Sequence, residues 1–412
     1  MAKFFQIPLH TLCEFLDLLD SVSVSQVDIS TKKQMYLIAR PTAQIKSIGA
    51  GLHLVRLFKK VKLDVTDLSE PFTNDSFHFL PNIISLKLEL IYQSLTNPLT
   101  DGLSSLINLT HLNINGGNSR FWIDSLTSLK NLRSLRLEYC RTKIDHILNH
   151  LHSLTALDIS KSGQYGISLT SVQNLISLKV SDIDDLYCNS RLSHLTKLET
   201  LNIAFFLQPI LPMNIIICQF TTLTSLTLTL SRWDPDHITD HALRTLLNLT
   251  ELNLFGTATI TDDSIILLKK LKSLRLVSCN SITDKSIGEL TSLVSLSMTH
   301  TENIRGWCFS SLVNLRELEI SNKRLFSPMD TKYLTAVESL KLGSFQPIDG
   351  AEISAMTNLT TMTFYEDPAP EMIVTFRQLK KLKKVTLHTV YKKTIWKEYF
   401  RIQGINLMLF AQ

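Results

Sequence analysis

One short apolar pattern recurs fourteen times along this chain without losing phase. "LKSLRLVSC" (271–279) shows its full frame, L-x-x-L-x-L-x-x-C. Related copies include "LTHLNI" (109–114), "LRSLRLEYC" (132–140), "LTSLTL" (223–228) and "LKKVTL" (382–387). Taking the first residue of each closing L-x-L pair as an anchor gives Leu86, Leu112, Leu135, Leu157, Leu178, Leu201 and Leu226. The series continues through Leu252, Leu274, Leu296, Leu318, Leu340, Met362 and Val385. The spacings run from 21 to 26 residues, and the five steps from Leu252 to Met362 are each 22. Few folds satisfy such a period. L-x-L is a short strand with two side chains on one face. A single unit cannot bury that face alone, so neighbouring units must stack.

The period and frame identify a leucine-rich repeat. The expected fold is α/β: a horseshoe-shaped solenoid with a parallel concave sheet and short convex helices. Fourteen strands at a spacing of ~4.8 Å would form an arc of roughly 65 Å. "IISLKL" (83–88) opens the series, and "KKVKLDV" (59–65) is a degenerate candidate before it. The expected division is a helical segment or N-terminal cap over 1–45, a solenoid over 46–390, and a C-terminal cap over 391–412. Trp396, Phe400 and Leu407 suit the closing of the core.

"CNSITDKSIGEL" (279–290) shares Ile-Thr-Asp with "TATITDDSI" (257–265) and "DHITDHAL" (236–243). Cys279 lies at the turn leaving a strand, where a small thiol packs inward; Cys140 holds the same place. Thr257 and Ser231 occupy the position in the two related units. Ile282 is the next expected buried residue, and Thr283 or Asp284 can cap the helix that follows. These cysteines read as structural rather than reactive.

C-x-x-I-T-D resembles the cysteine-containing repeat subtype of F-box/leucine-rich-repeat proteins, the substrate receptors of Skp–cullin–F-box ubiquitin ligases. That resemblance implies an F-box ahead of the repeats. Residues 7–34, "IPLHTLCEFLDLLDSVSVSQVDISTKKQ", are similar to one. Ile7-Pro8 stands for its opening, Leu12, Phe15, Leu16 and Leu19 follow at helical spacing, and Leu19-Asp20 comes next. The resemblance makes Ile7, Pro8, Leu12, Phe15, Leu16 and Leu19 the surface that docks on a Skp-type adaptor. The tryptophan usual after the later element is missing, and "SVSVSQVDIS" favours a strand. The other reading is a solenoid cap, with the same residues buried on the first repeat.

Composition narrows the function classes. Of 412 residues, 44% are hydrophobic and 19% charged, ordinary for a folded chain. The net charge of +5 does not argue for nucleic acid. No apolar run is long enough for a membrane helix, and Glu14, Asp17 and Asp20 break the oily N-terminal stretch. The six cysteines, Cys13, Cys140, Cys188, Cys218, Cys279 and Cys308, are scattered. This predicts reduced thiols in an intracellular protein, cytoplasmic or nuclear. Asn108, Asn248 and Asn358 each open Asn-Leu-Thr, but at one repeat position, which marks them as repeat consensus rather than sugar sites. The basic run 379–393 is consistent with an import signal or an acidic partner, and more simply with a solvated helix and last strand.

No phosphate loop, nucleophile elbow or C-x-x-C pair occurs, so no catalytic residue and no cofactor is expected. His146, His150 and His152 lack the glutamate of a zinc protease motif. Asp234, Asp236, His237, Asp240 and His241 fall in a convex turn and helix, so no metal site is expected. Residues one after each anchor point to the concave face, among them Arg136, Asp158, Lys179, Asn253, Arg275, Glu319 and Lys341. Aromatics gather at strand exits. Arg136, Tyr139, Lys179, Phe205, Phe255 and Arg275 are the expected partner contacts, since aromatics beside arginine form binding hot spots. The expected function is non-enzymatic substrate recognition for a cullin-type ligase. The alternative is an F-box-independent intracellular scaffold or sensor, or a microbial effector.

Overall fold

The computed structural model describes residues 42–45, 60–65, 77, 82–89, 102–116, 123–140, 144–160, 169–181, 192–205 and 213–230. It further describes 238–321, 331–343, 350–365, 368, 372–388 and 393–409. The chain divides into two compact units. One comprises Met1–Leu198 with Pro209–Leu211, the other Glu199–Gln208 with Pro212–Gln412.

The first unit carries strands β1 (Thr42–Ile45), β2 (Val61–Val65), β3 (Ile83–Glu89), β4 (His111–Asn115), β5 (Ser134–Glu138), β6 (Ala156–Ser160) and β7 (Ser177–Ser181). Each pairs in parallel with the next. The register aligns Ala43, Leu63, Leu86, Leu112, Leu135, Leu157 and Leu178 in one row. Val61–Val65, within the degenerate stretch 59–65, is therefore a strand of the series. Another strand precedes it, formed by the last residues of the 1–45 stretch; residues 1–41 lie outside the described residues.

The second unit carries β8 (Thr200–Phe205), β9 (Ser225–Leu230), β10 (Glu251–Phe255), β11 (Ser273–Val277), β12 (Ser295–Thr299), β13 (Glu317–Ser321), β14 (Ser339–Leu342), β15 (Thr361–Phe364), β16 (Lys384–Leu387) and β17 (Asn406–Leu409). Its anchors from Leu201 to Val385 again lie side by side, and Leu407 continues their row beyond Val385. Leu407 thus belongs to a paired strand within the 391–412 segment.

Period becomes packing in a direct way. The anchor and the residue two beyond it point into the core, as with Leu252, Leu254, Leu274 and Leu276, each at most 1% exposed. The residue between them is held at the opposite face. Full burial of a leucine side chain contributes ~1.5–3 kcal/mol before conformational entropy is counted. On the far side lie short helices, among them α1 (Asp145–Leu148), α2 (Met213–Ile217), α3 (Asp240–Leu243), α4 (Asp262–Ile265) and α5 (Asp284–Ile287). They are too short to be stable alone; the stack holds them.

Polar side chains tie unit to unit at fixed repeat positions. The amides of Asn248, Asn314 and Asn358 donate to the carbonyls of Thr221, Thr291 and Thr335 at 3.0, 3.0 and 2.7 Å. This gives the recurring Asn-Leu a structural reason. Lys270 then donates to the Asn248 Oδ1 at 2.8 Å.

Ile-Thr-Asp has a reason of the same kind. Thr283 caps α5 by accepting from the Lys285 N–H at 3.2 Å, and Thr261 caps α4 in the same way. The Asp262 carboxylate accepts from the Thr283 N–H (2.9 Å), the Thr283 hydroxyl (2.6 Å) and the Ser286 hydroxyl (2.5 Å). Asp240 holds Thr261 and Ser264 by the same three bonds. Asp284 does not cap its own helix. It reaches forward to the N–H groups of Arg305, Gly306 and Cys308 at 2.6, 2.9 and 3.1 Å. Each aspartate therefore seats the helix start of the following unit.

Burial raises the Asp240 carboxyl pKa, but the bonds from Ser264 and Thr261, with Arg244 nearby, outweigh it and leave the pKa below the usual value. A carboxylate lowered in the folded state stabilises fully above its unfolded pKa, and that gain is lost as pH falls through the folded one. Acid titration of the Asp240→Asn variant is expected to lose less stability than wild type below about pH 4. Equal losses in the two proteins would count against this role.

Cys279 and Cys140 are fully buried. The Cys279 thiol lies 3.4 Å from the Leu254 and Val277 carbonyls and 3.3 Å from the Thr257 hydroxyl. Burial raises its pKa, and it lifts that of Cys140 to about 12. Neither is poised as a nucleophile, which requires a thiolate. None of the four described cysteines is in a disulfide; Cys13 and Cys188 lie outside the described residues.

Four of the described strand exits adopt left-handed backbone. Tyr139, Ser278, His300 and Gly256 have φ of 57°, 56°, 53° and 71°. Their N–H groups donate to the next unit, to the carbonyls of Ser160, Thr299, Ser321 and Val277 respectively. A side chain in this region costs ~1–2 kcal/mol, partly offset by the greater chain entropy glycine loses on folding. Ser278→Gly is therefore expected to raise unfolding free energy by about 0.5–1 kcal/mol. A later urea midpoint would show it; an earlier midpoint would contradict it.

Candidate functional site

Two groups of side chains stand out on the strand faces, one in each unit. In the first unit Arg136, Asp158 and Lys179 lie opposite one another across β5, β6 and β7. The Asp158 Oδ2 is 3.4 Å from the Arg136 Nε and 3.4 Å from the Lys179 Nζ, so one carboxylate serves two cations. Ser160 donates to the other Asp158 oxygen at 2.6 Å, and Arg136 reaches Glu138 at 3.2 Å. Lys87 pairs with Glu89 at 2.6 Å further along. Half-exposed pairs of this kind contribute little to stability. Their effect is to hold charged groups in fixed places on the surface. The Asn115 Oδ1 beside them is buried and makes no hydrogen bond among the described residues.

In the second unit the Arg275 guanidinium lies over the Phe255 ring, 5.5 Å from its centroid. Neighbouring strands set them side by side. Phe255 closes β10, and Arg275 follows its anchor on β11. Ser297, next to Arg275 in register, has a buried hydroxyl without a hydrogen-bond partner among the described residues. Further along the same face Tyr365 stacks on His388, with centroids 4.7 Å apart and planes at 14°. Stacked arginine and aromatic groups present wide, weakly hydrated surface, the chemistry that favours protein contacts.

The six expected contacts therefore fall into place unevenly. Arg136 and Lys179 are joined through Asp158, and Phe255 and Arg275 touch directly. Tyr139 is half-exposed at the left-handed exit of β5 rather than in the pleat. Phe205 ends β8, and its side chain lies outside the described residues. Sequence reasoning placed Asp158 on this face without seeing that it joins Arg136 to Lys179. It placed Ser297 there too without marking it as a contact, and it missed Asn115 and His388. Register makes Asp158 findable, because the three charged residues each follow an anchor.

Other expected sites stand as follows. Ile7, Pro8, Leu12, Phe15, Leu16 and Leu19 lie outside the described residues, as do Asp234, Asp236 and His237. The His146 Nε2 meets Asp124 at 2.5 Å, and the Asp240 carboxylate is occupied by the helix-seating bonds. Among the described residues no three histidine, cysteine or acidic side chains gather as a metal site. No described helix is long and apolar enough to cross a membrane.

Parallel strands at this period, with inward anchors and short helices opposite, define a leucine-rich-repeat solenoid in each unit. Similar solved structures agree. An internalin from Listeria monocytogenes matches with 22% identity and a TM-score of 0.52, covering 77% of this chain and 89% of that one. A leucine-rich-repeat protein of Leptospira interrogans matches with 19% identity and a TM-score of 0.51, covering 89% and 99%. At these identities the likeness is one of fold. No protein-family model matches the chain, and no curated protein matches it.

Proposed function

We propose that this chain is a protein-recognition module that binds its partner on the strand face. The observation that carries this reading is the Arg275–Phe255 stack, set on the sheet beside the Ser297 hydroxyl, which has no hydrogen-bond partner among the described residues. A leucine-rich-repeat sheet presents many side chains at fixed spacing, which suits a broad protein surface better than a small ligand. Once the partner is isolated, Arg275→Glu is expected to weaken its affinity by about tenfold or more, mainly through faster dissociation. An affinity within about twofold of wild type would count against the site.

The finer reading is a substrate-recognition subunit of a Skp–cullin–F-box ubiquitin ligase, which requires an intracellular setting. It rests on the similarity of residues 7–34 to an F-box and on the C-x-x-I-T-D unit. Ubiquitin transfer would then follow from proximity, with no catalytic group on this chain. Co-purification with a Skp-type adaptor tests it, beside a Pro8→Ala/Leu19→Asp double variant. Capture by wild type and loss in a folded variant is the expected result. A folded wild type that captures no adaptor would leave an F-box-independent scaffold.

A further inference from the structure

The aspartate ladder ends at one place. Asp240, Asp262 and Asp284 succeed one another at 22-residue steps, and the next step falls on Gly306, whose φ is 96°. Here a 3-10 turn, Trp307–Ser311, replaces the α-helix of the three preceding units. The turn buries Cys308 and Phe309 and turns Trp307 outward, 67% exposed. The equivalent residues in the preceding units are His241, Asp263 and Lys285, all polar. An exposed indole adds nothing to the core, so packing does not account for it.

Beside Trp307 lies a recess of about 640 Å3 between α5 and the turn, lined in part by Lys285, Gly288, Glu289, Asn303 and Arg305. Gly288 keeps its floor low. A Cβ there would sit 3.6 Å from the Cys308 Cα, and one unit earlier the same position is Ile266. The charges around it are unequal in availability. Asp284 spends its oxygens on three backbone N–H groups, and Glu289 is held by Lys269 at 2.8 Å. Lys285 and Arg305 are exposed and make no ion pair among the described residues. The recess therefore offers an aromatic platform flanked by two exposed cations that make no ion pair among the described residues, with the carboxylates of Asp284 and Glu289 in the same lining already engaged.

We propose that this recess on the helical side docks an acidic peptide segment of a partner protein. Trp307 packs against an apolar side chain of that segment, while Lys285 and Arg305 pair with its carboxylates. Tryptophan and arginine are the residues most enriched at binding hot spots, and the charge complementarity sets the sign of the partner. The site is separate from the strand face and does not depend on what binds there.

The test uses the full chain and a fluorescein-labelled peptide in which glutamates alternate with leucine and phenylalanine. A second peptide carries lysine for every glutamate. Anisotropy is expected to show saturable binding of the acidic peptide, weakened by salt and at least about tenfold tighter than the basic one. Trp307→Ala and Lys285→Glu/Arg305→Glu, both at exposed positions, should each weaken it by about tenfold, while Arg275→Glu leaves it within about twofold. Equal affinity for both peptides, absence of saturable binding, or binding that survives Trp307→Ala would overturn the proposal. So would self-association in sedimentation velocity that Trp307→Ala abolishes, since the occupant would then be a second copy of this chain.

Discussion

Replacing Trp396 by alanine is expected to cost about 3–5 kcal/mol and to loosen the C-terminal end of the second unit first. Trp396 is 2% exposed and Phe400 fully buried. On α7 (Lys393–Ile402), Trp396 stacks on Phe400 at 5.7 Å and meets the Phe376 ring edge-on at 6.0 Å. Phe376 belongs to α6 (Met372–Gln378), and Phe400 lies 5.2 Å from it. Phe376 also meets Phe364 of β15 edge-on at 6.1 Å, and the helix Lys393–Ile402 packs against β17. A repeat array is held by nearest-neighbour contacts, so a cavity at its end unfolds the end before the middle. Amide hydrogen exchange should accelerate over 393–409 while 251–300 stays protected. Uniform acceleration along the second unit would show that its units melt together.

Asp262→Ala carries the second large effect, roughly 2–4 kcal/mol. It strips the acceptor from the Thr283 N–H, the Thr283 hydroxyl and the Ser286 hydroxyl, and Ser286 is fully buried. A donor left unsatisfied costs more than the net worth of its bond. Asp262→Asn keeps one acceptor oxygen and should lose about half as much. Thermal unfolding of the two variants checks the order. Similar small losses would mean that water replaces the carboxylate, since Asp262 is partly exposed.

These effects show which parts of the fold are legible in the sequence. Anchors such as Leu252 and Leu274 are legible because burial demands an apolar residue once per unit, and their spacing then fixes the register. Ala43 is not, because a small residue in a degenerate frame carries little periodic signal. Leu407 sits 22 residues beyond Val385, yet the aromatic helix between them reads as a closing cap rather than as the lead-in to a strand. The Cys279 turn and the Thr283 cap follow from local chemistry. The reach of Asp284 into the next unit does not, since that requires knowing how the units stack.

The strand face is legible in part. Arg136, Lys179 and Arg275 stand out one residue after their anchors, because the pleat alternates. Their partners emerge only when neighbouring strands are set side by side: Asp158 between two cations, and Phe255 beneath Arg275. The aromatic pair of Tyr365 and His388 joins residues 23 apart, a distance that no local pattern reveals. Trp307 is an ordinary apolar residue in the sequence. It becomes notable only because the 3-10 turn directs Cys308 and Phe309 inward in its place.

The strand-face account is tested most directly by placing a photo-crosslinking amino acid at single positions and identifying what each captures. Lys179 and Asn253, which lies opposite Arg275, sample the strand faces of the two units, and Lys269 and Asn314 sample the opposite side. Recognition on the strand face predicts one common partner captured from Asn253, reduced by Phe255→Ala, and absent from Lys269 and Asn314. A partner captured only from Lys269 or Asn314, with none from either strand face, would contradict it.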